Sequence, residues 1–484
     1  MQDEADPPGT PAVPAYEQQP RFPAMPATPA EWRYHPPRTP SWWHRHGRTL
    51  RALAVVAVLV LCGLAILALV REQTGTQGLF VGLGLAVLPV PLLLAAFRWL
   101  DGVEPTPWRN HAFAFAWGAC AATLVALLAN SFATAWLADS VLSGRPGRAD
   151  TLGATVVAPV VEEVAKGAAI LLLFVFRRAA FTGVVSGIAL AGFTATGFAF
   201  TENVLYLGTA YVEDTAFGGP TALHESLTAL TFFVRIVLSP FAHPLFTSFT
   251  GVGLGIAAVL AHRRRVWRPL LPVAGLLTAV LLHAVWNGAA GTRDSTFLFV
   301  YALFMIPVFA VVLWLALWSR AGELRTIRRV LPAYAAAGWF SAPEPWALGS
   351  MRARSLARAM ARRVHGAAAA RTVLEYQHFA TSLALLRSRA DFGAPAPDFA
   401  AREQELLHHL WTRRALAAPP TQSAARALAP PVPLVPWWAA PGHRPWGPPG
   451  TGAGPTPYAP PPVPGPRPGG PAPPGHDPFR PPPG

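Results

Sequence analysis

A chain of 484 residues that is 52% hydrophobic and only 13% charged is too apolar for an ordinary soluble enzyme, and its composition places it in a membrane. The formal net charge of +14 would suit a nucleic-acid partner, but the arginines sit mostly beside apolar segments and in the C-terminal region, where the cytoplasmic bias of basic residues accounts for them. Two cysteines, Cys62 and Cys120, each inside an apolar run, exclude a disulfide framework and a cysteine-based metal site.

Residues 1–49 are proline-rich and polar, unable to bury a core and far too long for the first region of a cleaved signal peptide, so they read as a disordered tail. A helix needs about 20 apolar residues to cross the hydrocarbon. Between Leu50 and Trp318 eight runs reach that length, at about 52–70, 78–97, 111–137, 153–176, 181–206, 228–260, 270–288 and 296–318. Pro240 and Pro244 near the middle of the long sixth run favour a kink. The expected fold is all-α, a polytopic membrane bundle of about eight transmembrane helices flanked by disordered proline-rich tails.

Orientation follows from where arginine collects. Arg45, Arg48 and Arg51 precede the first span, Arg177 and Arg178 follow the fourth, and Arg263, Arg264, Arg265 and Arg268 follow the sixth. The connection after the fifth carries Glu213, Asp214 and Glu225 without a basic residue, and Arg293 after the seventh is offset by Asp294. Both termini are thereby expected in the cytoplasm of a multi-pass cell-membrane protein; Arg145 and Arg148, on the outer side, fit least well. Residues 320–417 carry arginine-rich helical patterns such as MRARSLARAMARRVHG, suited to a small cytoplasmic helical region or to anionic lipid. From about Ala418 to Gly484 proline-rich composition returns with PxxP spacing, read as a second disordered tail.

Charged side chains at bilayer depth cost at least about 2.5–3.5 kcal/mol and usually face a cavity or a partner. Here they gather on spans four to seven: Glu162, Glu163 and Lys166; Glu202 and Asn203; Arg235 and His243; His283 and Asn287. Helical spacing sets Lys166, the only lysine of the sequence, one turn from both glutamates, where it can neutralise one of them. Arg235 is read as a partner for a carboxylate or an interfacial anchor, and Phe198 as a wall beside Glu202. Carboxylates and imidazoles in a desolvated cavity can activate water directly, with glutamate as general base, or through a metal held by His and Glu. Asn287 and a histidine can stabilise an oxyanion. HExxH, GxSxG and paired membrane aspartates are all missing, which disfavours zincin, serine and aspartyl mechanisms.

In order along successive helices, Glu162-Glu163-x-x-Lys166, Phe198-x-x-x-Glu202, His243-x-x-x-Thr247 and His283-x-x-x-Asn287 resemble the motifs of the PrsW family of bacterial intramembrane metalloproteases, a family similar to the CAAX-processing and bacteriocin-immunity membrane endopeptidases. The resemblance covers about residues 50–320, so that 50–319 is expected to be the transmembrane peptidase domain. It implies a peptidase that cleaves single-span membrane proteins, such as anti-sigma factors, at an extracytoplasmic site; the composition and the placement of the arginines add the lipid bilayer and no nucleic acid as expected partners. Glu163 or Glu162 is expected as general base with the other paired to Lys166, His243 and His283 as ligands of a divalent metal such as zinc or as oxyanion donors, Asn287 as an assistant, and Glu202 completing the polar cavity. At about 1.5 Å of rise per residue, Glu202 and Asn287 fall in the outer half of the bilayer and the Glu162–Glu163 pair near its middle, which expects a cavity open to the outside. The rival readings are a proton-coupled transporter, which would show inverted repeats that the sequence lacks, and a membrane scaffold recruiting partners through its tails.

Overall fold

The computed structural model describes residues 42–428, apart from 142–145, 217, 220–221, 223–224, 261–263, 265, 291–293 and 394–397. Nearly all of the N-terminal tail, the C-terminal tail from 429 onward, and Arg145, Arg263, Arg265 and Arg293 of the charge pattern lie outside the described residues. Those described form helices and their connections, with no strand among them. Twelve helices matter for the site: α1 (Trp42–Ala86), α2 (Val90–Leu100), α3 (Trp108–Ser140, with a π-helical turn at Trp117–Ala122), α4 (Ala158–Phe176), α5 (Val184–Ala216), α6 (Leu227–Phe232), α7 (Ala242–Val259), α8 (Trp267–Ala290), α9 (Thr296–Ala336), α10 (Glu344–Leu348), α11 (Met351–Asp391) and α12 (Phe399–Leu428).

Among the described residues six segments are long and apolar enough to cross a bilayer: Thr49–Leu100, Trp108–Ser140, Val184–Ala216, Leu227–Val259, Trp267–Ala290 and Thr296–Ala336. The first is bent back on itself at Gly75, whose φ of 65° and ψ of 178° belong to backbone that only glycine adopts readily. Its first arm passes Cys120 at Gly63 and meets Gly208 at Thr74, and its second returns past Gly208 at Gly78, Val204 at Gly82 and Gly192 at Phe97. The expected spans at about 52–70 and 78–97 are therefore the two arms of one helical hairpin. Helix α4, at 19 residues, stands at the place of the fourth expected span with its three charges. Two helices outrun their expected ends, α5 at Ala216 rather than 206 and α9 at Ala336 rather than 318, because loss of apolar character does not by itself end a helix.

The centre of the bundle is α5, whose apolar window is 89% buried. Small residues let other helices approach it closely: a Cβ placed on Gly187 would lie 2.1 Å from the Gly251 carbonyl oxygen of α7, and one on Gly251 would lie 2.3 Å from that of Gly187. In lipid, where apolar burial alone gives little association, such backbone contact is what holds helices in register. The α5–α7 packing is antiparallel, Gly187 beside Gly251 and Gly183 beside Gly255, and it brings the far end of α5 to the start of α7. At the end of α5, Asp214 accepts bonds from Ser226 Oγ (2.7 Å) and from the backbone N–H groups of Leu227 (2.8 Å) and Thr228 (3.0 Å), capping α6.

The basic region after α9 is a packed helical bundle and not a set of helices spread on lipid. Helix α11 folds back at Gly366 (φ 81°), so that Arg358 Nη1 donates to Gln377 Oε1 (2.6 Å) across the hairpin, and α12 packs beside the returning arm with Arg413 on Glu375 (2.7 Å). Buried Arg354 donates to the Val103 carbonyl (2.9 Å), Ser382 to Glu104 (2.6 Å) and Arg389 to the Thr182 carbonyl (3.0 Å), which seats the bundle on the α2–α3 and α4–α5 connections. Helix α12 continues through Pro419 and Pro420 to Leu428, ten residues past the point where composition placed the start of the tail, because Ala417, Thr421, Ala424 and Ala425 are buried against the bundle.

Asp101, in the α2–α3 connection, is 2% exposed and accepts from the backbone N–H of Thr106 at 2.6 Å. Burial raises its carboxyl to about 7, outweighing the opposing pull of Thr106 and Arg98. A carboxyl that holds its proton more tightly when folded stabilises the fold most at low pH, and the contribution disappears as pH rises through about 7. Unfolding temperature should therefore decline between about pH 4 and 7 and level off above, and Asp101→Asn should flatten that decline; equal slopes in the two proteins would refute the assignment.

Candidate active site

Apolar sequence makes α4 a helix, and the helical repeat puts Glu162, Glu163 and Lys166 together. Lys166 Nζ lies 3.2 Å from Glu162 Oε2 and 2.9 Å from Glu163 Oε1, so the ammonium serves both carboxylates, not one as the sequence led us to expect. It also lies 3.0 Å from His243 Nδ1 and 3.8 Å above the Phe198 ring. Lys166 and Glu163 are fully buried, and Glu162 is 6% exposed.

His243 reaches this point because the sixth span breaks. Helix α6 widens into a π-helical turn at Phe233–Leu238, the chain leaves helical geometry at Ser239, and α7 begins at Ala242 with His243 in its first turn. Two carbonyls near the break are satisfied from side chains, Val234 by Ser239 Oγ (2.6 Å) and Leu238 by Tyr301 Oη (2.8 Å), as irregular backbone at membrane depth requires. The proline-induced kink expected there is in fact a full interruption.

The bonds fix both imidazoles. An ammonium can only donate, so His243 Nδ1 accepts from Lys166, and His243 Nε2–H donates to Glu202 Oε2 at 2.7 Å. His283, from α8, has Nδ1 3.1 Å from Glu163 Oε1 and Nε2 3.8 Å from Glu162 Oε2; a carboxylate accepts, so the proton sits on Nδ1 and the Nε2 lone pair faces Glu162. Thr247 Oγ1 donates to Glu163 Oε2 at 2.8 Å, and the Phe246 ring stacks on His283 with centroids 4.9 Å apart. Glu163 is thus occupied on both oxygens, whereas Glu162 Oε1 has no protein partner among the described residues.

Arg235, on the π-helical turn, donates to Glu202 Oε2 (2.5 Å) and Asn203 Oδ1 (2.7 Å) and lies 4.0 Å over the Tyr206 ring. A cavity of about 80 Å³ opens beside His243, lined among others by Asn203, Arg235, Ser239, Trp286 and Phe297. Glu162, Glu163, Lys166, Glu202, His243, Thr247 and His283 therefore converge. Asn287 does not join them: its amide donates to the Ala154 carbonyl at 2.9 Å, because one helical turn beyond His283 the α8 face meets the turn that leads into α4. Sequence reasoning missed the Lys166–His243 contact and Tyr206, although Tyr206 follows Glu202 by four residues and so shares its face.

One ligand atom each from Glu162, His243 and His283 lies within 4.8 Å of the others. A metal held by these three would take the place that Lys166 Nζ now has on His243 Nδ1, so Lys166 would withdraw from that nitrogen. The chemistry of the donors fits: each imidazole gives its other N–H to a carboxylate, Glu202 or Glu163, the usual outer support of a histidine ligand.

Fold and site define a polytopic helical membrane protein with an acid–imidazole centre inside its bundle. The family model of the PrsW family intramembrane metalloproteases matches residues 106–312, in agreement with the resemblance of the four motifs. The match runs from α3 into α9 and so includes every helix that supplies the centre. That family implies a divalent metal and membrane-protein substrates. No curated protein and no solved structure matches the chain.

Proposed function

We propose that the protein hydrolyses peptide bonds of single-span membrane proteins near the extracytoplasmic face, anti-sigma factors in a signalling cascade being the substrate class that the family resemblance implies. The carrying observation is the meeting of Glu162, His243 and His283 at one buried point beside an open cavity. These three would hold a divalent metal, zinc being the ion best matched to two imidazoles and a carboxylate. When bound, the metal supplies Lewis-acid polarisation of the scissile carbonyl and activation of water.

The chain's own groups do the rest. Glu163, saturated by Lys166, His283 and Thr247, orients His283 and is not the base; Glu202 orients His243. Glu162 Oε1, which like Glu202 Oε1 has no protein partner among the described residues but belongs to the acid that faces His283, takes the proton from water and returns it to the leaving amine. Lys166 balances the two adjacent acids. Trp286, Phe297 and Pro240 give the cavity an apolar side opposite its polar groups, and Asn287 braces α8 against the lead-in to α4.

Sidedness rests on charge: arginines follow α4 and α7, acids follow α5, and the cavity lies toward the ends of α5 and α8 that run away from the arginine side. Both termini are accordingly cytoplasmic. Co-expression with single-span membrane proteins should yield a cleavage product that Glu162→Ala and Glu163→Ala each remove without reducing protein abundance; a product persisting in both would end this reading. Cysteine labels flanking Glu202 should react from the outside, and reaction from the cytoplasm alone would reverse the orientation.

A further inference from the structure

Arg235 stands where the cavity and the acid–imidazole centre meet. Its guanidinium has two arms committed inward: Nη2 on Glu202 Oε2 at 2.5 Å and Nε on Asn203 Oδ1 at 2.7 Å, both partners being on consecutive residues of α5. The Tyr206 ring, one turn further along the same helix, supports the guanidinium face at 4.0 Å. The Glu202 oxygen that Arg235 holds is the same oxygen that receives His243 Nε2–H at 2.7 Å. The arginine sits on a π-helical turn, whose extra residue swings it toward α5 and onto the cavity wall.

We infer that Arg235 is a positioning residue: by clamping Glu202 it fixes the tautomer and direction of His243, from the wall of the cavity through which substrate arrives. The inference rests on the proposed peptidase reading. Without the clamp Glu202 keeps a single strong partner and turns toward water, and His243 loses the acceptor that keeps its proton on Nε2 and its Nδ1 lone pair aimed at the centre. A lysine would restore the charge beside Glu202 but, as a compact ammonium, cannot bridge Glu202 and Asn203 in one plane. Asn203 belongs to the same device, since it sets the angle from which the guanidinium approaches.

The test uses the full-length protein in nanodiscs, with zinc as the probe. Zinc retention is read by competition with a graded chelator, and turnover on a single-span substrate is split into kcat and KM. Arg235→Gln should weaken zinc retention and lower kcat by roughly 10- to 100-fold each, the usual effect of removing an outer support of a histidine ligand, while KM stays near wild type. Arg235→Lys should recover part of both losses. Because the arginine acts through Glu202, Arg235→Gln combined with Glu202→Gln should be no worse than Glu202→Gln alone. Additive losses in the double variant, or a raised KM with kcat and zinc retention intact, would overturn the inference, the latter making Arg235 a substrate-binding group. Should Arg235→Gln fail to accumulate, Arg235→Lys and Glu202→Gln carry the same comparison. A wild-type protein that retains zinc but cleaves no substrate would reject the peptidase reading, and the zinc measurements would still decide the role of Arg235.

Discussion

Stripping divalent metal from the full-length protein should lower kcat/KM at least about a thousandfold, and adding zinc back should restore it. The magnitude follows from what a metal supplies to peptide hydrolysis, several kcal/mol of stabilisation for charge developing on the scissile oxygen. Without it the centre holds one ammonium, and that ammonium is already engaged by Glu162, Glu163 and His243. It has no geometry left for an oxyanion. Glutamate alone can take a proton from water but leaves the developing negative charge without a counter-charge, and Asn287, expected from the sequence to help there, is bonded to Ala154. Exhaustive chelation with the zinc content verified as nil is the deciding measurement. Activity that survived it would show a metal-free glutamate mechanism, in which Glu162 stays the base and His243 and His283 would need roles as oxyanion donors.

Much of this centre was legible in the sequence because membrane depth makes polarity conspicuous. Glu162, Glu163 and Lys166 stand out in an apolar helix, and the four-residue spacing of His243 with Thr247 marks a shared face that the structure uses, both side chains reaching the centre. The same rule misled for Asn287, since one turn along a helix is also about 5.4 Å along its axis, enough to carry a side chain out of the cluster. What periodicity cannot carry is partner choice between helices. That Lys166 crosses to His243, that Glu163 and not Glu162 is saturated, and that Arg235 shares a carboxylate oxygen with His243 all depend on how α5 packs against α4 and α7, which is set by backbone contact at glycines such as Gly187 and Gly251. Likewise the first two spans were visible as apolar runs, whereas their union through one left-handed glycine was not, because Gly75 is only one of several glycines in that stretch. Beyond α9 the arginine pattern gave helices but not their packing: Arg354 and Arg387 are buried, and an arginine in sequence reads as surface.

Lys166→Met should destabilise the folded protein by about 3–5 kcal/mol, the cost of leaving buried charge without its partner. Lys166 is fully buried and holds two carboxylates that sit on adjacent residues, so its removal leaves Glu162 and Glu163 without their shared cation, with neutral Thr247 and His283 as the remaining neighbours of Glu163. Neutralising one of them in the same chain, as Lys166→Met with Glu163→Gln, should recover part of the loss, since the amide oxygen can still accept from His283. Zinc offers a second, independent rescue. A dication bound by Glu162, His243 and His283 would restore positive charge close to where the ammonium was lost, so zinc should raise the melting temperature of Lys166→Met by more than it raises that of the wild type, by mass action on the folded state. The comparison separates two accounts of the lysine. If it merely fills space, methionine, similar in length and apolar, will unfold at the wild-type temperature and zinc will shift both proteins equally. If it is the resident counter-charge of the centre, the variant will be weak without zinc and strengthened by it, and the lysine will have kept two carboxylates together at membrane depth for the chemistry they support.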